Sequence, residues 1–223
     1  MPDENSIAVL LSHAHALRGA TLADLAEGLG IPVPAGLRTP KGWSGRIVEQ
    51  ELGAGGSLRG PDFTHLGVEL KTVPVRDDFR PLESTAVCHI DPVAIAGESW
   101  ATSYVRRKLT QVLFIALECP KAPHSIGDRK IIGIRLWSPS ADEERVLLAD
   151  FEHIVRNYFR QGRAHELTGH VGQVLQVRPK GRNSADKQSA FDTHGHPTQL
   201  GRCGFYLRPA FVCGILRARE TLR

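Results

Sequence analysis

Apolar residues in this chain follow two periods, and the change between them limits the fold more than any other feature. Ile7, Leu10, Leu11, Ala14 and Leu17 recur at helical spacing and stop at Gly19. Thr21-Leu22-Ala23-Asp24 is a capping-box pattern that opens a second short helix, ended by Gly28 and Gly30. After Pro32, Pro34 and Pro40, a third helix is predicted over 44–52 with Ile47, Val48 and Leu52 facing inward. The glycine-rich stretch 53–60 breaks it. From Leu66 the period becomes two: Leu66, Val68 and Leu70 point one way, Glu69 and Lys71 the other, as in a half-exposed strand. Segments 86–90, 112–117 and 131–137 read as further strands, with helical character over 100–109 between the first two. Ser140-Ala141-Asp142-Glu143 is a second capping box, opening a helix whose apolar face carries Val146, Leu147, Phe151, Ile154, Val155, Tyr158 and Phe159 and which stops at Gly162. Residues 171–177 and 204–207 predict strands, and Pro209 suits the first turn of a closing helix. The interleaving predicts a mixed α/β layered fold, two lobes of one domain rather than two independent ones.

Composition excludes several classes. The chain has 223 residues, 41% hydrophobic and 23% charged, an ordinary globular mixture that can bury a core without metal or disulfide. Its longest unbroken apolar run, residues 112–117, is six residues, far short of the ~20 that a membrane-spanning helix needs. The acidic start, Asp3 and Glu4, is not that of a secretory signal, so a soluble cytoplasmic protein is expected. Cys88, Cys119, Cys203 and Cys213 form no C-x-x-C pair and read as reduced, buried thiols. Cys203 with His194 and His196 has no common zinc spacing, and a mobile loop is the expectation for the His-Gly-His-Pro stretch. Charge is unevenly spread. After residue 162 there are ten Lys and Arg against four Asp and Glu; before it, eighteen against twenty. Such a division suits a protein that holds a metal in one place and a nucleic-acid backbone in another, although a basic tail is often only a solvated surface.

The segment with chemical content is Pro61-Asp62-Phe63-Thr64-His65-Leu66-Gly67-Val68-Glu69-Leu70-Lys71. Glu69 and Lys71, two apart on a strand, project from one face, and Asp62 comes from the turn before it. Two carboxylates at one point repel unless a divalent cation lies between them, and all-oxygen ligation suits Mg²⁺ with a substrate phosphate. The Lys71 ammonium would then stand beside the attacking water and stabilise charge growing on the phosphate oxygens. Taken alone the pattern equally describes a polar strand face with an exposed Glu–Lys pair. Two other motifs are decoys. The 53–60 stretch lacks the Gly-Lys-Ser/Thr ending of a nucleotide-binding loop, and the histidines include no H-x-x-x-H pair of a zinc hydrolase.

Wider blocks carry a resemblance. Lys41-Gly42-Trp43-Ser44-Gly45, Asp62-Phe63, Leu66 to Thr72, Arg80-Pro81-Leu82-Glu83-Ser84-Thr85, Leu136-Trp137-Ser138-Pro139, Leu175-Gln176-Val177-Arg178-Pro179-Lys180 and Gly204-Phe205-Tyr206-Leu207 stand in the order in which similar blocks occur in the MutH family. The sequence resembles that family, the endonucleases of methyl-directed DNA mismatch repair, over nearly its whole length. The resemblance implies a restriction-endonuclease-like α/β fold, a mixed β-sheet flanked by helices, with two lobes around a DNA-binding cleft. It implies one domain over 1–223, with a catalytic lobe over about 1–110 and a sheet continuation with the basic recognition lobe over 111–223. It further implies Mg²⁺-dependent nicking of the unmethylated strand 5′ to GATC in hemimethylated double-stranded DNA, by a monomer that MutL activates after MutS finds a mismatch.

Carried over by position, Asp62 and Glu69 match the family's metal-binding carboxylates, the Leu70 main-chain carbonyl a further ligand, and Lys71 the catalytic lysine. Glu49 matches an additional active-site acid, and Lys108 a lysine near the cleaved phosphate. Arg178, Pro179 and Lys180 match the base-reading loop. Arginine can bind guanine O6 and N7 together, while Lys180, Arg182 and Lys187 suit phosphates. Tyr206 matches the tyrosine that senses the adenine, its plain alternative being a core aromatic. Ala86 departs from the family, where a bulkier aromatic can stand. Two competing functions remain: a GATC restriction endonuclease cutting both strands, and a DNA-binding adaptor without catalysis.

Overall fold

A computed structural model describes residues 6–35, 42–55, 60–120 and 125–218. Residues 1–5, Pro40, Lys41 and residues 56–59 of the glycine-rich stretch, all used in the sequence reading, lie outside the described residues. In chain order the helices are α1 (Ile7–Ala16), α2 (Leu22–Gly28), α3 (Trp43–Glu51), α4 (Pro92–Ile95), α5 (Tyr104–Leu109), α6 (Ala141–Ile154) and α7 (Pro209–Arg217). The strands are β1 (Glu69–Val75), β2 (Thr85–His89), β3 (Val112–Glu118), β4 (Ile131–Trp137), β5 (Leu175–Pro179), β6 (Lys187–Phe191), β7 (Pro197–Gly201) and β8 (Cys203–Leu207). Two compact units draw on separated stretches: one on 1–83, 110–138 and 212–223, the other on 84–109 and 139–211. The units are therefore interleaved along the chain.

In the first unit, local chemistry sets the helix starts. The Ser6 hydroxyl accepts the Val9 N–H at the head of α1. Thr21 and Asp24 form a reciprocal cap on α2, at 3.1 and 2.8 Å. α3 begins after Gly42, whose φ of +81° suits glycine, and has no side-chain cap; burial of Trp43, Ile47 and Val48 holds it instead. Each such side chain contributes about 1.5–3 kcal/mol when removed from water. The sheet has the order β1-β3-β4, with β1 parallel to β3 and β3 antiparallel to β4. Leu70, Leu113, Ile115 and Ile134 join the three helices in one core, which leaves β1 as a sheet edge.

In the second unit, β2-β8-β5 is an antiparallel sheet, and β6-β7 is a separate hairpin. Ser140 and Glu143 form the reciprocal cap of α6. The Phe151 ring of α6 lies 5.9 Å from Phe205 of β8 and 5.4 Å from Trp100, centroid to centroid. α6 closes in a π-helical turn, Val155–Phe159, and the chain leaves through Gly162 at φ +65°.

The mixed α/β class holds, but three expectations need correction. Among the described residues the strands form three small sheets in place of one continuous sheet. β1 starts at Glu69 rather than Leu66, because a tight turn at 63–68, with Gly67 at φ +67°, precedes it. β5 starts at Leu175 rather than residue 171, because the Asp150 carboxylate takes up the backbone N–H groups before the strand. The His-Gly-His-Pro stretch caps the β6–β7 hairpin: Asp192 accepts the N–H groups of His194 and His196, and Gly195 sits at φ +78°.

Candidate functional site

The turn before β1 is closed by paired bonds between Phe63 and Val68, whose N–H groups each reach the other's carbonyl, at 2.9 and 3.3 Å. Its effect is to fold Asp62 back alongside the first residues of the strand. Asp62 Oδ2 accepts the Leu70 N–H at 2.8 Å. Among the described residues, Asp62 Oδ1 makes no hydrogen bond.

Backbone parity places the next group. In a parallel pair, alternate residues turn both N–H and C=O toward the neighbouring strand. Glu69 does so, since its N–H meets the Gln111 carbonyl at 2.9 Å. Leu70 therefore turns its N–H and its carbonyl to the free edge, where Asp62 has taken the N–H. Pro74 has the same parity, and its carbonyl likewise faces away from β3, to the Leu82 N–H at 3.0 Å.

Glu69 and Lys71 share one face of β1, and Lys71 Nζ donates to Glu69 Oε1 in an ion pair. The sequence predicted this face half exposed. Glu69 is instead buried, at 2% exposure, while the Lys71 side chain keeps 22%. A carboxylate so withdrawn from water needs cationic compensation, which Lys71 supplies.

Glu49 is on α3. Its Oε1 and the Thr72 hydroxyl both lie within 4 Å of where a β-carbon on Gly45 would stand, on the side of β1 that packs against α3. Ser44, Gly45, Thr72, Glu83 and Arg129 help line a cavity of about 320 Å³ beside it. Among the described residues, no three His, Cys, Asp or Glu side chains gather as a metal cage. Asp62, Glu69 and the Leu70 carbonyl, as the groups that would hold an ion, offer two carboxylates and one carbonyl. These are hard oxygens of net negative charge, a set that fits Mg²⁺, which takes few protein ligands and keeps waters.

The remaining predicted residues belong to the second unit. Arg178 and Pro179 end β5, and Lys180 follows it, its N–H bonded to the Arg202 carbonyl at 2.8 Å. Arg178 pairs with Gly204 and Gln176 with Tyr206 on β8. Lys180 Nζ lies 5.9 Å from the Tyr206 ring centroid, within cation–π range, so these two side chains form one group. Tyr206 is half-buried. Lys108, on α5, is buried at 8% exposure with Nζ 5.7 Å from the Tyr104 ring centroid.

Sequence reading missed Asp186. It accepts the Arg182 N–H at 3.0 Å and Arg202 Nε at 2.6 Å, tying the loop after Lys180 to the junction of β7 and β8. The Arg182 N–H and, next, the Arg202 guanidinium hold its carboxyl below the ordinary aspartate range. An Asp four residues after an Arg in a polar loop gives no signal of this in the sequence, because one partner is sixteen residues away.

Comparisons with known proteins agree with the resemblance. The model of a family described as DNA mismatch repair enzyme MutH matches residues 53–150, a stretch that contains Asp62, Glu69, Lys71 and Lys108. The chain is 42% identical to the DNA mismatch repair protein MutH of Haemophilus ducreyi over 213 residues, 95% of this chain and 93% of that protein. It is 40% identical to the MutH of Shewanella amazonensis over 213 residues, 95% and 94% of the two chains. With the MutH of Vibrio cholerae serotype O1 it shares 39% over 213 residues, 93% and 94%.

Proposed function

The chain belongs to the MutH family of DNA mismatch repair enzymes, and from that premise we propose that it is a Mg²⁺-dependent endonuclease nicking the unmethylated strand 5′ to GATC at hemimethylated sites. The observation that carries the reading is the Asp62–Leu70 hydrogen bond, which sets a carboxylate beside the outward carbonyl of Leu70 at the strand that bears Glu69 and Lys71.

In this reading Asp62, Glu69 and the Leu70 carbonyl hold the ion. Mg²⁺, when bound, neutralises the scissile phosphate and makes water a better nucleophile at neutral pH. Water attacks phosphorus in line with the departing sugar oxygen. Lys71, oriented by Glu69, faces the phosphate oxygens as they gain charge, and a fixed ammonium there needs no rearrangement in the transition state. Glu49 acts as a further acid of the site, and Lys108 offsets phosphate charge. Arg178 reads guanine through O6 and N7, with Pro179 ending the strand that presents it. Lys180, Arg182 and Lys187 set the position on the backbone, and Tyr206 meets the adenine N6 edge. The protein acts as a cytoplasmic monomer, and MutL switches it on after MutS has found a mismatch.

Supercoiled plasmid carrying one GATC site tests this directly. The proposal expects open circles, dependent on Mg²⁺, with the break mapped to the 5′ side of the site. Linear product in the first turnover would favour a restriction endonuclease that cuts both strands. Tight binding with no cleavage would favour an adaptor.

A further inference from the structure

The backbone leading into β5 is bonded by two side chains from elsewhere in the second unit, Asp150 and Arg208. Asp150, on α6 and 5% exposed, accepts three main-chain N–H groups: Gln173 to Oδ1 at 2.8 Å, Val174 to Oδ2 at 2.7 Å and Leu175 to Oδ2 at 2.8 Å. Arg208, at the end of β8, works on the carbonyls of the same stretch. Its Nε donates to Gly172 O at 3.0 Å, its Nη2 to Val171 O at 3.3 Å, and its main-chain N–H to Val174 O at 2.9 Å. Gly172 sits at φ +85°, and a β-carbon there would overlap the Leu175 carbonyl oxygen, so the bend requires glycine.

This stretch has two connections to Arg178. Along the chain it fixes where β5 begins, and a one-residue slip of β5 against β8 would send Arg178 to the opposite face of the sheet. Through space, Arg178 Nη1 lies 3.8 Å from the position of a β-carbon on Gly169, in the turn that runs into Val171. The turn is thus both the start of the strand and a wall beside the guanidinium.

We propose that Asp150 and Arg208 are positioning residues for base recognition: they lock the 171–175 backbone so that Arg178 is presented to guanine in one geometry. The inference rests on the reading of Arg178 as the guanine contact. A buried carboxylate spent on three N–H groups specifies the backbone more tightly than an apolar side chain would, since each donor left unpaired carries a desolvation cost. Neither residue needs to touch DNA.

Asp150→Asn keeps the volume but sets an amide NH₂ against N–H donors at one of the two oxygen positions. The test measures KM and kcat for nicking a GATC duplex and a duplex with that guanine replaced, in the full chain, for Asp150→Asn, Arg208→Gln and Arg178→Ala, with thermal unfolding of each. For folded Asp150→Asn we expect KM to rise and GATC discrimination to fall by about tenfold or more, with kcat on saturating GATC within about twofold. A role in stability alone would lower the unfolding temperature and leave KM and discrimination at low temperature untouched, which would overturn the inference. Should Asp150→Asn fail to fold, Arg208→Gln, which removes only bonds to carbonyls, is read by the same criteria. Arg178→Ala separates the layers. Loss of discrimination there with none in the other two overturns the positioning role alone, and no loss in Arg178→Ala overturns the reading beneath it.

Discussion

Asp62 and Leu70, eight positions apart, are joined by a 2.8 Å hydrogen bond from the Leu70 N–H to Asp62 Oδ2. The bond takes the Leu70 N–H and leaves the Leu70 carbonyl turned to the same edge, beside a carboxylate. Glu69 adds a second carboxylate on the adjoining residue. The local chain geometry thus assembles negative charge before any ligand is present, and Lys71 offsets part of it.

Removing that offset exposes the cost. Lys71→Met should leave the buried Glu69 carboxylate without its ammonium and destabilise the protein by about 2 kcal/mol, less than a fully buried pair because Lys71 is partly solvated. Millimolar Mg²⁺ should raise the unfolding temperature of this variant, since a ligand that binds only the folded state stabilises it. Calorimetric scans with and without Mg²⁺ check both statements; an unfolding temperature equal to the parent's and indifferent to Mg²⁺ would contradict them. Nicking should be lost.

Much of this geometry was legible in the sequence, and the exceptions have a common cause. The capping boxes at Thr21 and Ser140 gave the starts of α2 and α6 because each cap is complete within four residues. Asp62, Glu69 and Lys71 could be singled out in the sequence because the positions they relate span fewer than ten residues along one turn and one strand. The start of β5 was misjudged because its limit is set by Asp150, more than twenty residues earlier on α6, and a lone Asp on a helix does not announce its partners. The burial of Glu69 was missed for a like reason: alternation gives the face of a strand, not what covers that face. The hairpin β6–β7 escaped notice because its strands are polar and mostly exposed, so they lack the apolar alternation that marks a strand.

Arg178→Ala should reduce discrimination against a base change at the guanine of GATC by about 1–3 kcal/mol. Relative nicking rates on matched and single-substituted duplexes measure it. An equal loss on every sequence would show that Arg178 serves only the phosphate backbone.

Asp186 carries a pH prediction. Its folded pKa is lowered, first by the Arg182 N–H and then by Arg202. Its contribution to loop order is therefore present above the ordinary aspartate value of about 3.9 and disappears only as pH falls through the lower folded value. Amide exchange at Arg182 should stay protected from pH 7 to pH 5 and lose protection below about pH 4. Loss of protection already at pH 6 would show that another group governs the loop.

Burial pushes the Cys203 thiol up to about 11, against a smaller opposing effect of the Gln188 amide. At pH 8 its thiolate fraction is then roughly one in a thousand, so Cys203 should resist thiol reagents in the folded protein. Peptide-level mapping after labelling in native buffer and in denaturant checks this. Prompt native labelling of Cys203 would contradict the burial.

The most direct measurement is nicking of an end-labelled hemimethylated GATC duplex by the parent and by Asp62→Asn, each with and without Mg²⁺. Asparagine can still accept the Leu70 N–H through its carbonyl oxygen, so the variant keeps the turn and the DNA affinity while losing the charge. Cleavage of the unmethylated strand is expected from the parent with Mg²⁺ only, at a rate about a hundredfold or more above that of the variant. Equal rates for the two proteins, or a parent that cuts as well without Mg²⁺, would contradict this expectation.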